Sequence, residues 1–114
     1  VPTVARADVP AMMRAHHVFL LPSYFEGAGI TLYEALASGL ALIQSRNCAP
    51  VVTPETGILL DRIDTDSLHQ AMLSAIDDRS RLDDWRAAAQ PRAKNFSFAR
   101  YRQGIAQLLD QMGI

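Results

Sequence analysis

Apolar residues change their spacing several times along this chain, and each change marks an element. Val9, Met12, Met13 and His16 fall at helical intervals behind Asp8, which can cap a helix, and Pro10 is tolerated in a first turn. This predicts a short helix ending near His17. Val18-Phe19-Leu20-Leu21 is a continuous apolar run stopped by Pro22-Ser23, as expected of a strand buried on both faces of a parallel sheet. Tyr24 to Gly29 has loop composition. From Ala28 or Gly29 to Ser38, helical spacing returns through Ile30, Tyr33, Leu36 and Ala37, and Gly39 is placed to end the helix.

Ala41 to Gln44 reads as a second strand, Ser45 to Pro50 as a loop, and Gly57 to Leu60 as a third strand; Val51-Val52 is too short to assign. Asp64 or Thr65 caps a helix in which Leu68, Ala71, Met72, Ala75 and Ile76 fill every position of one helical face. A further helix runs from about Ser80 to Gln90 with Leu82, Trp85 and Ala89 on one stripe, and Pro91 should end or kink it. Ser97 caps a last helix, predicted to carry Tyr101, Ile105, Leu108, Leu109 and Met112 inward. Strands separated by such helices imply β-α-β crossovers, hence an α/β fold with a partial Rossmann-like parallel sheet. Three strands are few against the usual five or so, so residues 1–114 read as a single fragment, the carboxyl-terminal portion of a larger domain.

Composition narrows the function. With 11 basic and 12 acidic residues and a net charge of −1, nothing suggests a nucleic-acid or polybasic membrane surface. Cys48 is the only cysteine, and no Cys/His spacing suggests zinc, which fits a reducing, cytoplasmic setting. No apolar run approaches the roughly 20 residues needed to span a bilayer, and Val1 to Asp8 lacks a signal pattern, so the chain reads as soluble.

The chemistry concentrates in the stretch from Pro22 to Gly39. A turn with Gly27 and Gly29 between a parallel strand and a helix lies where open α/β sheets bind ligands, and the free N–H groups around Ala28, Gly29, Ile30 and Thr31 favour a phosphate. Alone, a Gly-x-Gly is equally a tight turn. Glu34 stands about five residues into the helix, roughly 7 Å along its axis from the tip at about 1.5 Å per residue, which suits a ribose. Glu26, in the loop, can accept hydrogen bonds from sugar hydroxyls. Taken singly, Glu34 is a solvated helix carboxylate and Glu26 a turn residue favoured by the helix dipole. Together they straddle an anion site, as a nucleoside diphosphate sugar requires. His16-His17 closes a helix, Cys48 is a small loop or core residue, and Trp85 and the methionines are packing residues.

The string Pro22-Ser23-x-x-Glu26-Gly27-x-Gly29-x-x-x-x-Glu34-Ala35-x-Ala37-x-Gly39 resembles the donor-binding signature of GT-B-fold retaining glycosyltransferases of the family-four type, the "glycosyl transferases group 1". Thr56-Gly57-Ile58-Leu59-Leu60 and Phe96-Ser97-Phe98 resemble later elements of the same family, so the likeness extends over essentially the whole chain. Departures are Ala28, commonly aromatic, Ala41, commonly proline, and Asn47-Cys48-Ala49 in place of a glycine pair.

The resemblance implies that the catalytic Glu26 contacts the transferred sugar, Glu34 the ribose, and amides near Gly29, Ile30 and Thr31 the diphosphate. It implies a saccharide or lipid-linked acceptor, retention of configuration, no metal and no cofactor beyond the sugar nucleotide, in a polysaccharide-building transferase that is cytoplasmic or peripheral to the inner membrane. The chain alone is expected to be inactive. A non-catalytic interaction or regulatory module on the same fold is the alternative, and a sugar-nucleotide epimerase fits the glutamate pair less well. Without a first half of the sheet, the strand Val18 to Leu21 would expose an unpaired edge and promote self-association.

Overall fold

A computed structural model describes residues 3–24 and 30–113. After a 3-10 turn at Arg6–Asp8, the described elements run α1 (Val9–Arg14), β1 (Val18–Leu21), α2 (Ile30–Ala37), β2 (Ala41–Ser45), β3 (Gly57–Leu60), α3 (Thr65–Asp77), α4 (Arg79–Ala93), a 3-10 turn (Lys94–Phe96) and α5 (Phe98–Gln111). The three strands form a parallel sheet in the order β1-β2-β3, with Val18 opposite Ala41 and Leu42 opposite Gly57. The expected α/β architecture is present.

β2 lies between the other two strands and is buried at all five positions. Successive strand side chains point to opposite faces, so Leu42 joins Leu32, Ala35 and Leu36 of α2 in one apolar layer, while Ala41 and Ile43 join Leu60, Ala71, Ala75, Leu82 and Trp85 in the other. α4 spans both layers, giving Leu82 and Trp85 to one and Ala89 to the other. The Trp85 indole Nε1–H donates to the Pro54 carbonyl at 2.9 Å, which satisfies the one polar group of that large buried side chain. The Arg81 guanidinium stacks over the same ring, 4.5 Å from its centre.

Helix ends follow the residues expected of them. Gly39 adopts φ 82°, and its N–H donates to Leu36 while the Leu40 N–H donates to Ala35, both at 3.1 Å; these paired bonds close α2 in a Schellman motif. Asp64 accepts from the Ser67 N–H at 2.7 Å at the start of α3. The Ser67 backbone N–H, then its hydroxyl, hold the Asp64 carboxyl below the usual carboxylate range against desolvation, with the Arg62 charge adding least. Ser97 accepts from the Arg100 N–H at the start of α5.

Several expectations are corrected. Asp8 makes no capping bond and α1 ends at Arg14, with the His16 ring folded back onto the Met12 carbonyl. β1 is half-buried, not buried on both faces, because its outer edge has no neighbouring strand among the described residues. Ile30 and Ala37 lie on the exposed side of α2, whose inward face is Leu32, Ala35 and Leu36. Met72 and Ile76 are exposed, leaving the two alanines as the buried contacts of α3. Pro91 does not end α4, which continues to Ala93, although it lacks the N–H that would reach the Ala87 carbonyl one turn back. α5 carries no buried residue: Tyr101, Ile105, Leu108, Leu109 and Met112 are exposed, because within the described residues the helix packs chiefly on the 3-10 turn before it.

Gly57 is where β3 meets β2 most closely. A methyl group there would lie 1.8 Å from the Leu42 carbonyl oxygen, an atom of the central strand that cannot move aside without breaking the ladder. Gly57→Ala is therefore expected to destabilise the fold by more than about 3 kcal/mol, at the severe end of overpacking, and urea unfolding followed by circular dichroism checks this.

Candidate functional site

All three strands run the same way, so their carboxyl ends share one edge of the sheet, the side on which open α/β sheets take ligands. Pro22 and Ser23 leave β1 there, and α2 returns from that edge beginning at Ile30. Among the residues expected to bind donor, Glu26, Gly27, Ala28 and Gly29 lie outside the described residues. The others are brought together on α2. Ile30 and Thr31 form its exposed first turn, where backbone N–H groups have no acceptor within the helix, and Glu34 is exposed one turn further on. Leu32, Ala35 and Leu36 bury the opposite face, so packing against the sheet turns Ile30 and Glu34, four residues apart, outward together.

The loops behind this helix tip are held by polar groups at the end of β2. Gln44 is fully buried; its amide Nε2 donates to the Ala49 carbonyl at 2.9 Å and the Ser45 carbonyl at 3.2 Å, while its Oε1 accepts from the Val52 N–H at 2.9 Å. One side chain thus closes the 45–52 loop on itself. Ser45, also fully buried, donates its hydroxyl to the Ser23 carbonyl at 2.5 Å and lies 3.3 Å from the Cys48 sulfur. That bond fixes the chain just as it leaves β1 for the glutamate-bearing loop. On the rim, Tyr24 donates to the Ile63 carbonyl at 3.4 Å and Arg46 pairs with Asp61 at 2.8 Å.

Gln44 and Ser45 are positioning residues that sequence reading passed over. Their signal was a polar pair ending an otherwise apolar strand, which is indistinguishable from an ordinary strand-to-loop boundary until burial is known. Cys48 is a buried packing residue, as expected. Among the described residues no three His, Cys, Asp or Glu side chains cluster closely enough to hold a metal ion.

The profile of the family described as "Glycosyl transferases group 1" matches residues 1–92. The chain is 31% identical over 96 residues to O-antigen chain mannosyltransferase B of Escherichia coli, covering 80% of this chain and 24% of that protein. It is 36% identical over 78 residues to the UDP-Gal:alpha-D-GlcNAc-diphosphoundecaprenol alpha-1,3-galactosyltransferase of the same organism, covering 65% of this chain and 20% of the other. The solved sucrose-phosphate synthase from Thermosynechococcus elongatus superposes with a TM-score of 0.82 at 24% identity, over 98% of this chain and 29% of that one, which shows the fold. The chain thus spans about a quarter of the length of these relatives.

Removing the Ser45 hydroxyl leaves the Ser23 carbonyl without that partner at the base of the loop. Ser45→Ala is expected to cost about 1–2 kcal/mol, the effect of losing a buried hydrogen bond, and to speed hydrogen exchange of the amides that follow Ser23; denaturant unfolding and exchange measured by mass spectrometry check both.

Proposed function

Because this chain belongs to the glycosyl transferases group 1 family, whose members have the GT-B fold, we propose that its parent protein transfers a sugar from a nucleoside diphosphate sugar to a saccharide or lipid-linked acceptor with retention, and that residues 1–114 are the carboxyl-terminal portion of the donor-binding domain. The observation that carries this reading is the position of α2: its amino terminus stands at the carboxyl edge of a parallel sheet, with Glu34 exposed one turn into the helix.

In this reading the amides of Gly29, Ile30 and Thr31, aided by the helix dipole, hold the diphosphate. The Glu34 carboxylate accepts from the two ribose hydroxyls. Glu26 is the catalytic residue that contacts the transferred sugar. As the glycosidic bond breaks, negative charge builds on the departing diphosphate and positive charge on the anomeric carbon; the helix tip stabilises the first and the Glu26 carboxylate the second. The acceptor hydroxyl attacks from the face the diphosphate leaves, and its proton passes to the departing phosphate, which gives retention. Fixed dipoles supply the stabilisation, so this scheme calls on no metal or other cofactor. The named relatives act on an O-antigen chain and on a diphosphoundecaprenol-linked sugar, which supports polysaccharide or lipid-linked acceptors for the parent. No helix among the described residues is long and apolar enough to cross a membrane, and we place the parent in the cytoplasm or peripheral to the inner membrane. With about a quarter of the relatives' length, the chain alone is expected to bind donor weakly and turn nothing over.

Titrating the labelled chain with UDP, GDP and ADP should move the amide resonances of residues 27–34 with one base preferred. Glu34→Ala should weaken that response about tenfold or more, the worth of charge-assisted bonds to hydroxyls. Silence with every nucleotide at millimolar concentration would count against donor binding by this chain and favour a purely structural or regulatory use of the fold. The half-buried β1 edge carries a separate expectation of self-association. Light scattering that reports a monomer at every concentration would rule it out.

A further inference from the structure

Beside Glu34, a second surface with its own chemistry runs along the outer side of α2. Two adjoining clefts of about 550 and 400 Å³ share Tyr33, Phe96 and Ser97 as a common wall. The first is bounded by Glu34, Gln90 and Lys94, the second by Asn95, Arg100 and Tyr101. At the junction the Tyr33 and Phe96 rings meet edge to face, 4.9 Å between centres. Phe96 remains 41% exposed and Tyr101 64% exposed, so aromatic surface is open to the groove.

Apart from Glu34 at one end of the first cleft, the charge beside these rings is positive. From Trp85 to Leu109 the sequence has Arg86, Arg92, Lys94, Arg100 and Arg102 and no aspartate or glutamate, in a chain whose net charge is −1. Arg86 and Arg92 donate to the Gly39 and Val51 carbonyls, and Arg92 also lies over the Phe96 ring at 5.1 Å. Lys94 and Arg100 form no ion pair among the described residues and stand on opposite sides of the shared aromatic wall.

We propose that this groove binds a phosphorylated saccharide, with a pyranose lying against Phe96 and Tyr33 and its phosphate drawn by the flanking cations Lys94 and Arg100. The aromatic faces suit the C–H face of a sugar ring, the Gln90 amide and Asn95 suit its hydroxyls as both donor and acceptor, and the unpaired cations suit the phosphate. Ser97 caps α5 at the same point, so the amino-terminal dipole of that 14-residue helix adds to the attraction. The inference rests on the glycosyltransferase reading and names a site for a sugar other than the one transferred. A lipid-linked glycosyl diphosphate and a free sugar phosphate present the same chemistry.

The test titrates the labelled 114-residue chain with mannose 1-phosphate, methyl α-mannoside and inorganic phosphate, following the amides of Asn95 to Arg100. Mannose 1-phosphate should bind at least tenfold more tightly than either part alone, and the double variant Lys94→Gln/Arg100→Gln, with its melting temperature measured alongside, should lose at least tenfold of that affinity. Within that result, a prenyl-diphosphate-linked N-acetylglucosamine in micelles that binds tighter still identifies the lipid-linked source, and one that binds no tighter identifies the free one. Equal binding of inorganic phosphate would reduce the groove to a cation cluster and overturn the proposal. So would vesicles of phosphatidylglycerol that shift the same amides while mannose 1-phosphate does not, which would assign the surface to a membrane. UDP titrated in parallel reads the donor end through Ile30 to Leu32, so a silent groove beside a responding helix tip overturns this inference and leaves the proposed function standing.

Discussion

Burial of β2 on both faces is the constraint on which the rest of this structure depends. Its alternating side chains enter two separate apolar layers, so α2 and α3 must lie on opposite sides of the sheet and α4 must reach both. The strand then ends in two buried polar residues whose hydrogen bonds leave little freedom to the loops above them. Gln44 uses both ends of its amide within the 45–52 loop, and Ser45 reaches across to the chain leaving β1. A buried polar group costs stability unless it is paired. The pairing here also ties Ser23, where the chain leaves β1, to the end of β2, so the same bonds that make the core tolerable hold the described rim of the sheet's carboxyl edge.

The carboxyl-terminal third follows different physics. α4 belongs to the core through Leu82, Trp85 and Ala89, but beyond Pro91 the chain turns at Lys94–Phe96 and α5 leaves the domain with its apolar stripe uncovered among the described residues. The length of the molecule, 52 Å against 31 and 29 Å in the other directions, reflects that departure. Cations and aromatics are concentrated where α4, the turn and α5 meet, with Glu34 of α2 the acidic neighbour on that cleft. Charge balance in the whole sequence therefore coexists with a stretch from Trp85 to Leu109 that carries cations and no aspartate or glutamate.

Element existence and order were legible from periodicity and punctuation. The strands at Val18, Ala41 and Gly57, the glycine that closes α2, and the caps at Asp64 and Ser97 all follow from local rules, because each is decided by a few neighbouring residues. Which apolar residues would be covered was less legible. Ile30, Met72, Ile76 and the stripe of α5 satisfy a helical template yet are exposed, since a template reports which face is apolar and not whether anything lies against it. The continuation of α4 past Pro91 was not legible either, because local sequence does not report how far packing carries a helix past a proline.

For the candidate site, sequence by itself determined the kind of chemistry: a glycine-containing turn before a helix with a glutamate on either side, and the family to which that pattern belongs. Tertiary structure alone decided that Ile30 and Glu34 turn outward together, that Gln44 and Ser45 are buried supports, and that Tyr33, Lys94, Phe96 and Arg100, spread over 68 positions of the sequence numbering from 33 to 100, border one groove. The physical reason is the range of the forces involved. Capping, turn geometry and periodicity act within a few residues and are written in the local string, whereas burial and the meeting of distant side chains exist only once the sheet has brought its helices together.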